Sequence, residues 1–271
     1  MQSEAKQMIS WPVVASLCKR YIYIYSRNSF RILDVTFWPV MDLLVWGWVS
    51  NYMLSNQNGI PQMVTFLVGS IILFNILYRA QQGITVSFLE DIWSRNLLNV
   101  FAAPVRASEF IAATYLVGLT QALMVLAVMA VAAASIYSFN LSAIGWTLIP
   151  LFLNLLVMGW WLGMFTTALI LRFGNQAEAL AWAVPFLIQP LSAVFYPVSI
   201  LPKFLQPVSN CIPAAHVFEG MREILQKNQF PQEHLLTATV LNAIYMTLSA
   251  LFFAFMFKEA RRKGLISKLV C

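Results

Sequence analysis

FIAATYLVGLTQALMVLAVMAVAAASIYSFNLSAIGWTLIPLFLNLLVMGWWLGMFTTALIL, residues 110–171, runs for 62 positions without an Asp, Glu, Lys or Arg. A hydrocarbon core about 30 Å thick is crossed by roughly 20 apolar residues. The run is therefore too long for one span and reads as two helices with a turn between them. Ser138-Phe139-Asn140, Gly145 and Pro150 place that turn. The rest of the chain has the same character, because 60% of its 271 residues are hydrophobic and 10% are charged, against about 25% charged in a soluble domain. Such a chain needs lipid as its solvent and leaves no room for a large soluble domain.

Working outward, the pattern predicts an all-α integral membrane protein. Six transmembrane helices are expected at 35–54, 63–80, 110–137, 146–171, 178–201 and 234–257. Ahead of them, residues 10–31 carry Trp11, Val14, Leu17, Tyr21 and Ile24 on one face and Arg20, Arg27 and Arg31 on another. That spacing predicts an amphipathic helix in the membrane surface; a basic flank of the first span is the plainer alternative. Lys19, Arg20, Arg27 and Arg31 also interrupt any signal-peptide core. Residues 84–106 read as a polar cytoplasmic segment whose Leu89, Ile92, Trp93, Leu97 and Val100 recur at helical spacing and which Pro104 ends. Residues 196–231 hold Pro197, Pro202, Pro207, Pro213 and Pro231 yet stay largely apolar. Broken backbone at membrane depth needs cover from protein or a cavity, so short re-entrant helices are expected there, one over 214–227.

With both termini cytoplasmic, fourteen of the seventeen Lys and Arg residues lie inside and only Lys203, Arg222 and Lys227 outside, the bias expected of cytoplasmic loops. The net charge of +6 is thereby read as an orientation signal, with no nucleic-acid partner. Cys18, Cys211 and Cys271 form neither a disulfide framework nor a metal spacing, and Cys211 is expected on the opposite side from the other two.

No G-x-x-x-x-G-K-[ST] phosphate loop occurs, so the chain is not expected to split ATP. His216 and Glu219 stand three apart with only His234 in addition, too few ligands fixed by spacing for a metal. Asp34 and Asp42 flank the start of the first span, where a carboxylate marks either a functional site or a structural pair. Aromatics crowd that span at Phe37, Trp38, Trp46, Trp48 and Tyr52 and return at Trp160, Trp161, Trp182, Phe195 and Tyr196. They suit stacking on a substrate, and equally an interfacial belt. Gly159 and Gly163 form a G-x-x-x-G step for close helix contact.

The order of elements, with Glu90-Asp91-Ile92-Trp93-Ser94-Arg95 leading to Ala103-Pro104-Val105-Arg106 and Phe195-Tyr196-Pro197 leading to Glu219-Gly220-Met221-Arg222, resembles the ABC-2 type permeases, membrane subunits of ATP-binding cassette exporters. The resemblance implies a multi-pass subunit of the bacterial plasma (inner) membrane, paired with a second copy or a homologue. It would rest on two cytoplasmic ATPase subunits that bind the ATP and Mg, with no cofactor in this chain. Glu90, Asp91, Trp93, Arg95 and Arg106 would couple to the ATPase. Phe37, Trp38, Asp42, Trp46, Phe195 and Tyr196 would line the substrate pathway, and Pro197, Pro213, His216, Glu219 and Arg222 the outer gate. The substrate would be an amphiphile: a polysaccharide, glycolipid, lipid or drug. A secondary transporter would show charges buried mid-span and an internal repeat. A membrane-embedded transferase acting on a lipid-linked substrate would show clustered carboxylates or histidines.

Overall fold

The computed structural model describes residues 9–56, 61–137, 139, 145–227 and 229–264. Cys271 and parts of the expected turns at 55–61 and 138–145 lie outside these. Secondary structure among the described residues is helical: α1 Trp11–Arg27, α2 Ser29–Asn56, α3 Pro61–Trp93, α4 Leu97–Ala102, α5 Ala107–Tyr137, α6 Leu148–Phe173, α7 Leu180–Leu191, α8 Gln206–Asn210, α9 Pro213–Lys227 and α10 Gln232–Arg262. Among the described residues four segments are long and apolar enough to cross a membrane: Ser29–Tyr52, Ala107–Tyr137, Gly145–Phe173 and Gln232–Arg262. The charge-free run thus divides into α5 and α6 as its length requires.

α3 sits at the centre, packed against α2, α5, α6, α7 and α9. At 33 residues it is about 50 Å long. A span at 63–80 followed by a separate cytoplasmic segment at 84–106 was the expectation; one unbroken helix covers both down to Trp93. Arg79 does not end the helix: its guanidinium is buried and donates to the Asp34 carbonyl at 2.7 Å. Ser70, Asn75, Gln81, Gln82, Thr85, Ser87 and Asp91 of the same helix are also buried. Most are satisfied by protein: Gln82 donates to the Ala181 carbonyl at 2.7 Å, Ser87 to Gly83 at 2.6 Å and Thr85 to Gly163 at 3.4 Å, while Ser70 Oγ and Gln81 Oε1 find no hydrogen-bond partner among the described residues.

Glycines set how closely the neighbours approach. A Cβ on Gly118 of α5 would lie 2.8 Å from the Ala80 carbonyl oxygen, and one on Gly163 of α6 would lie 2.9 Å from that of Gln81. Gly159 adds the second contact of the G-x-x-x-G step, 2.6 Å from the Leu77 carbonyl. α6 is held to α10 by polar groups that lipid could not satisfy: Asn242 donates to Asn154 at 3.0 Å and accepts from the Trp161 indole at 2.9 Å.

Two other expectations change. The N-terminal helix does not run to Arg31 but breaks at Asn28, whose side chain accepts the Phe30 N–H at 3.1 Å and starts α2. The α1 residues Val14, Leu17 and Tyr21 are turned into the protein, against α5 and the end of α3, leaving Trp11, Ile22 and Tyr23 exposed. In the fifth expected span, α7 has 12 residues, about 18 Å, too short to cross by itself. Pro185 and Pro190 lie inside it, each removing a backbone donor, and the chain leaves the helix at Ser192 and Ala193, the latter with φ +54°. The short helix expected over 214–227 corresponds to α9.

Gly163→Leu is expected to force α6 away from α3 and destabilise the bundle by about 1–3 kcal/mol, read as a lower Tm of the detergent-solubilised protein. Leu153→Met, on the exposed face of the same helix, leaves the Tm unchanged.

Candidate functional site

The end of α3 at Trp93 is where charged side chains gather. Asp91 is fully buried and accepts from the Arg20 guanidinium and, at 2.7 Å, from the Tyr21 hydroxyl, both of α1. Burial first, and then the charge of Asp91, push the Tyr21 phenol well above its ordinary range, so it stays a donor. Burial alone would lower the Arg20 guanidinium, but its bond to Asp91 and that group's charge hold it above its usual value. One residue earlier, Glu90 pairs with Arg31 of α2, and Arg31 lies 5.2 Å over the Trp93 ring. Trp93 stacks in turn on Trp182 at 6.5 Å. Glu109 closes the cluster by accepting the backbone N–H groups of Ser10 and Arg106, each at 3.0 Å.

Beyond Trp93 the chain reverses through Ser94, Arg95 and Asn96, with Arg95 at φ +53° and the Asn96 N–H bonded to the Asp91 carbonyl at 2.9 Å. The tip exposes Ser94 and Arg95. Between it and α1 lies an open cleft of about 930 Å³ whose cations are Lys19, Arg20 and Arg27, with no acidic residue in its lining. Of the five expected coupling residues, Glu90 and Asp91 therefore face inward partners, Arg95 faces out and Trp93 is half exposed. Arg106 stands at the start of α5, its N–H held by Glu109.

At the opposite end of α3, α9 holds a second cluster. Arg222 donates to the carbonyls of Ala193 and, at 2.7 Å, Tyr196. It faces Glu219 at 3.1 Å as an ion pair that is not an aligned hydrogen bond. Its guanidinium lies 4.3 Å over the Phe66 ring of α3. Glu219 also accepts the Val198 N–H at 2.7 Å, so one acid–base pair pins residues 193–198. Pro197 follows directly in that segment, and Pro213 starts α9, buried. His216 contacts the Asn210 carbonyl at 2.8 Å and faces His234 at 5.8 Å. Among the described residues no three metal-ligating side chains converge. A cavity of about 560 Å³ opens beside the cluster, with Phe66, Phe195, Glu219, Arg222 and His234 in its wall.

The expected pathway residues divide. Phe37 and Trp38 are exposed on α2, edge to face at 5.5 Å, and Asp42 is exposed as well but turned toward Asn75 of α3. Trp46 and Phe195 are instead stacked on each other at 4.1 Å, and the Tyr196 hydroxyl donates to the Pro190 carbonyl at 2.7 Å.

The order of these parts matches a known family, since the model for "ABC-2 family transporter protein" covers residues 48–257. The chain belongs to the ABC-2 transporter family. It is 24% identical over 221 residues to the inner membrane transport permease YadH of Escherichia coli strain K12, covering 78% of this chain and 82% of that protein. The Shigella flexneri protein of the same name matches with the same identity and coverage. As an ABC-2 family member, this chain is the membrane subunit of a transporter. Sequence reasoning did not find Arg20, Tyr21, Arg31 and Glu109 as parts of the α3 tip, nor Arg79 as the partner of Asp34; Arg20 stood out only as a basic residue on a helix face, and Arg31 as that and as a partner for the carboxylates of the first span.

Asp91→Ala strands Arg20 and Tyr21. Breaking a fully buried pair costs roughly 3–5 kcal/mol, and because Arg20 keeps a quarter of its side chain exposed a smaller loss of about 2 kcal/mol is expected. Tyr21→Phe removes one hydrogen bond, about 1 kcal/mol. Thermal unfolding of single and double variants measures both, and Arg20→Ala combined with Asp91→Ala should fall short of the sum of the two.

Proposed function

We propose that this chain is the permease of an ATP-driven exporter of the bacterial inner membrane, moving an amphiphilic substrate out of the cytoplasm. A separate ATPase subunit, in two copies, binds ATP and Mg. Two copies of this chain, or this chain and a homologue, form the pathway. The likeness to inner membrane transport permeases supports the compartment and the class. The observation that carries the reading is the end of α3: a rigid tip continuous with the central helix and braced by α1 and α2, so that force applied there reaches the whole bundle.

Coupling is then divided between two kinds of residue. Glu90 and Asp91 act from inside, fastening α1 and α2 to the tip. Docking falls to the outward groups: Ser94, Arg95, Asn96 and the free edge of Trp93, with Lys19 and Arg27 across the cleft. A charged rim around an aromatic anchor suits a transient, salt-sensitive interface. The outward face of α2, with Phe37, Trp38 and Asp42, lines the pathway, and Trp46 and Phe195 form a stacked joint at its side near Tyr196. Pro197, Pro213, His216, Glu219 and Arg222 form the outer gate, with both termini cytoplasmic. Polysaccharide, glycolipid, lipid and drug all fit an aromatic route of this kind.

Two measurements test the reading. Co-expressed with its ATPase, the variant Lys19→Glu/Arg27→Glu/Arg95→Glu should lose substrate-stimulated ATP hydrolysis by tenfold or more, about 1.4 kcal/mol or more of coupling, while inserting normally. Unchanged hydrolysis would remove the docking assignment. A cysteine at Ser94 should react with a membrane-permeant maleimide and not with an impermeant one added to intact cells; labelling by both would reverse the assigned sidedness.

A further inference from the structure

α1 stops at Arg27 and α2 starts at Ser29, and both helices pack against α5. The wedge left between the three helices is a cavity of about 290 Å³ whose exposed wall is almost wholly apolar, formed by Ile22, Ile32, Val35, Val117 and Met124. Ile32, Val35, Val117 and Met124 belong to segments long and apolar enough to cross a membrane, a placement that puts the cavity at bilayer depth. Water in it would find few of the two to four polar partners it needs.

Its polar side chains, Tyr25, Ser26, Arg31, Thr120 and Gln121, come from all three helices. Arg31 and Ser26 belong to its lining, on the stretch of chain that carries the basic residues of α1. Gln121, also in the lining, is only 7% exposed. The Gln121 amide approaches the Tyr25 phenol oxygen, but its Nε2 makes no hydrogen bond of normal geometry among the described residues. A buried donor without an acceptor is costly, and none of the apolar wall residues supplies one.

We propose that this cavity is a binding site for a membrane phospholipid. One acyl chain fills the wedge, an ester carbonyl accepts from Gln121 Nε2, and the phosphate meets Arg31 and Ser26 at the mouth. An apolar tail, a hydrogen-bond acceptor at its root and an anionic head are the three features the wall asks for, and a phospholipid of the surrounding leaflet has all three. The site is separate from the α2 face assigned to the pathway and from the docking cleft. It depends on the chain being embedded in a bilayer and not on the ATPase, so its failure would leave the exporter reading untouched. Because Arg31 also pairs with Glu90, the bound lipid would brace the joint between α1, α2 and the tip of α3.

Native mass spectrometry of the purified full chain, delipidated in mild detergent and re-equilibrated with phosphatidylglycerol or phosphatidylethanolamine, tests this. The wild type should retain about one phospholipid per chain after excess detergent exchange. Thr120→Trp and Ile32→Trp, at exposed positions on the cavity wall, should lower retention about tenfold, and Gln121→Leu about fivefold, the effect of one lost hydrogen bond. Leu123→Trp, exposed on the same helix but outside the cavity, should retain lipid like the wild type. Equal retention across all four variants would mean annular lipid only and overturn the site. A retained mass that is not a phospholipid would overturn the assignment of the occupant and mark the cavity as a substrate pocket.

Discussion

A helix that carries Asn75, Arg79, Gln81, Gln82, Thr85, Ser87 and Asp91 on its buried surface cannot be left against hydrocarbon. Each group would need a partner that lipid does not offer. α3 resolves this by surrounding itself with other helices, and the arrangement of the bundle follows from that need. α5 and α6 come close because Gly118 and Gly163 leave room beside the α3 carbonyls. α2 contributes the Asp34 carbonyl to Arg79, and α7, although short, contributes the Ala181 carbonyl to Gln81 and Gln82. The outward faces of α5, α6 and α10 are then free to be as apolar as the bilayer demands.

The same constraint makes the tip of α3 an anchored structure. Asp91 is as buried as the core leucines around it, and a carboxylate in that position is tolerable only with both a cation and a hydroxyl on it. Those come from α1, while Arg31 on Glu90 brings in the start of α2. The N-terminal helix thus packs its apolar stripe on protein and clamps the end of the central rod. What it leaves outside is cationic, because the nearby acids Glu90, Asp91 and Glu109 are each occupied by an internal partner.

How much of this could be read from the chain depended on whether the deciding signal was local. Residues 110–171 announce α5 and α6 by length alone, and the Asn28 break is a one-residue detail that the spacing of Arg27 and Arg31 hides. Arg79 resembles the end of a span only if its partner is out of sight, and Asp34 lies 45 residues earlier. Glu90, Asp91 and Trp93 were legible as an important group, but not as an inward-facing one, since Arg20 stands 71 residues from Asp91 and Arg31 stands 59 from Glu90. The apolar run after Ala179 counts as a full span by composition. Its backbone turns out of the helix at Ser192 and Ala193, and hydropathy carries no record of that. Arg222 and Glu219 were legible as charges in an apolar segment, whereas their targets are backbone groups of residues 193–198, which no side-chain pattern marks.

Helix continuity has a mechanical consequence within the proposed cycle. A coupling segment hinged to its span would dissipate a push in the hinge. A single rod with no interior proline carries it along its length, because close-packed neighbours transmit displacement instead of absorbing it. Near the far end of the rod, Phe66 lies under the Arg222 guanidinium, so a slide of α3 disturbs the group that holds the carbonyls of Ala193 and Tyr196. Ala193 at φ +54° occupies a left-handed conformation that costs a non-glycine residue about 1 kcal/mol or more. Its carbonyl stays in place as long as Arg222 holds it. Loosening one cation over one ring would therefore free the carbonyls of Ala193 and Tyr196, the step that the proposed outer gate requires.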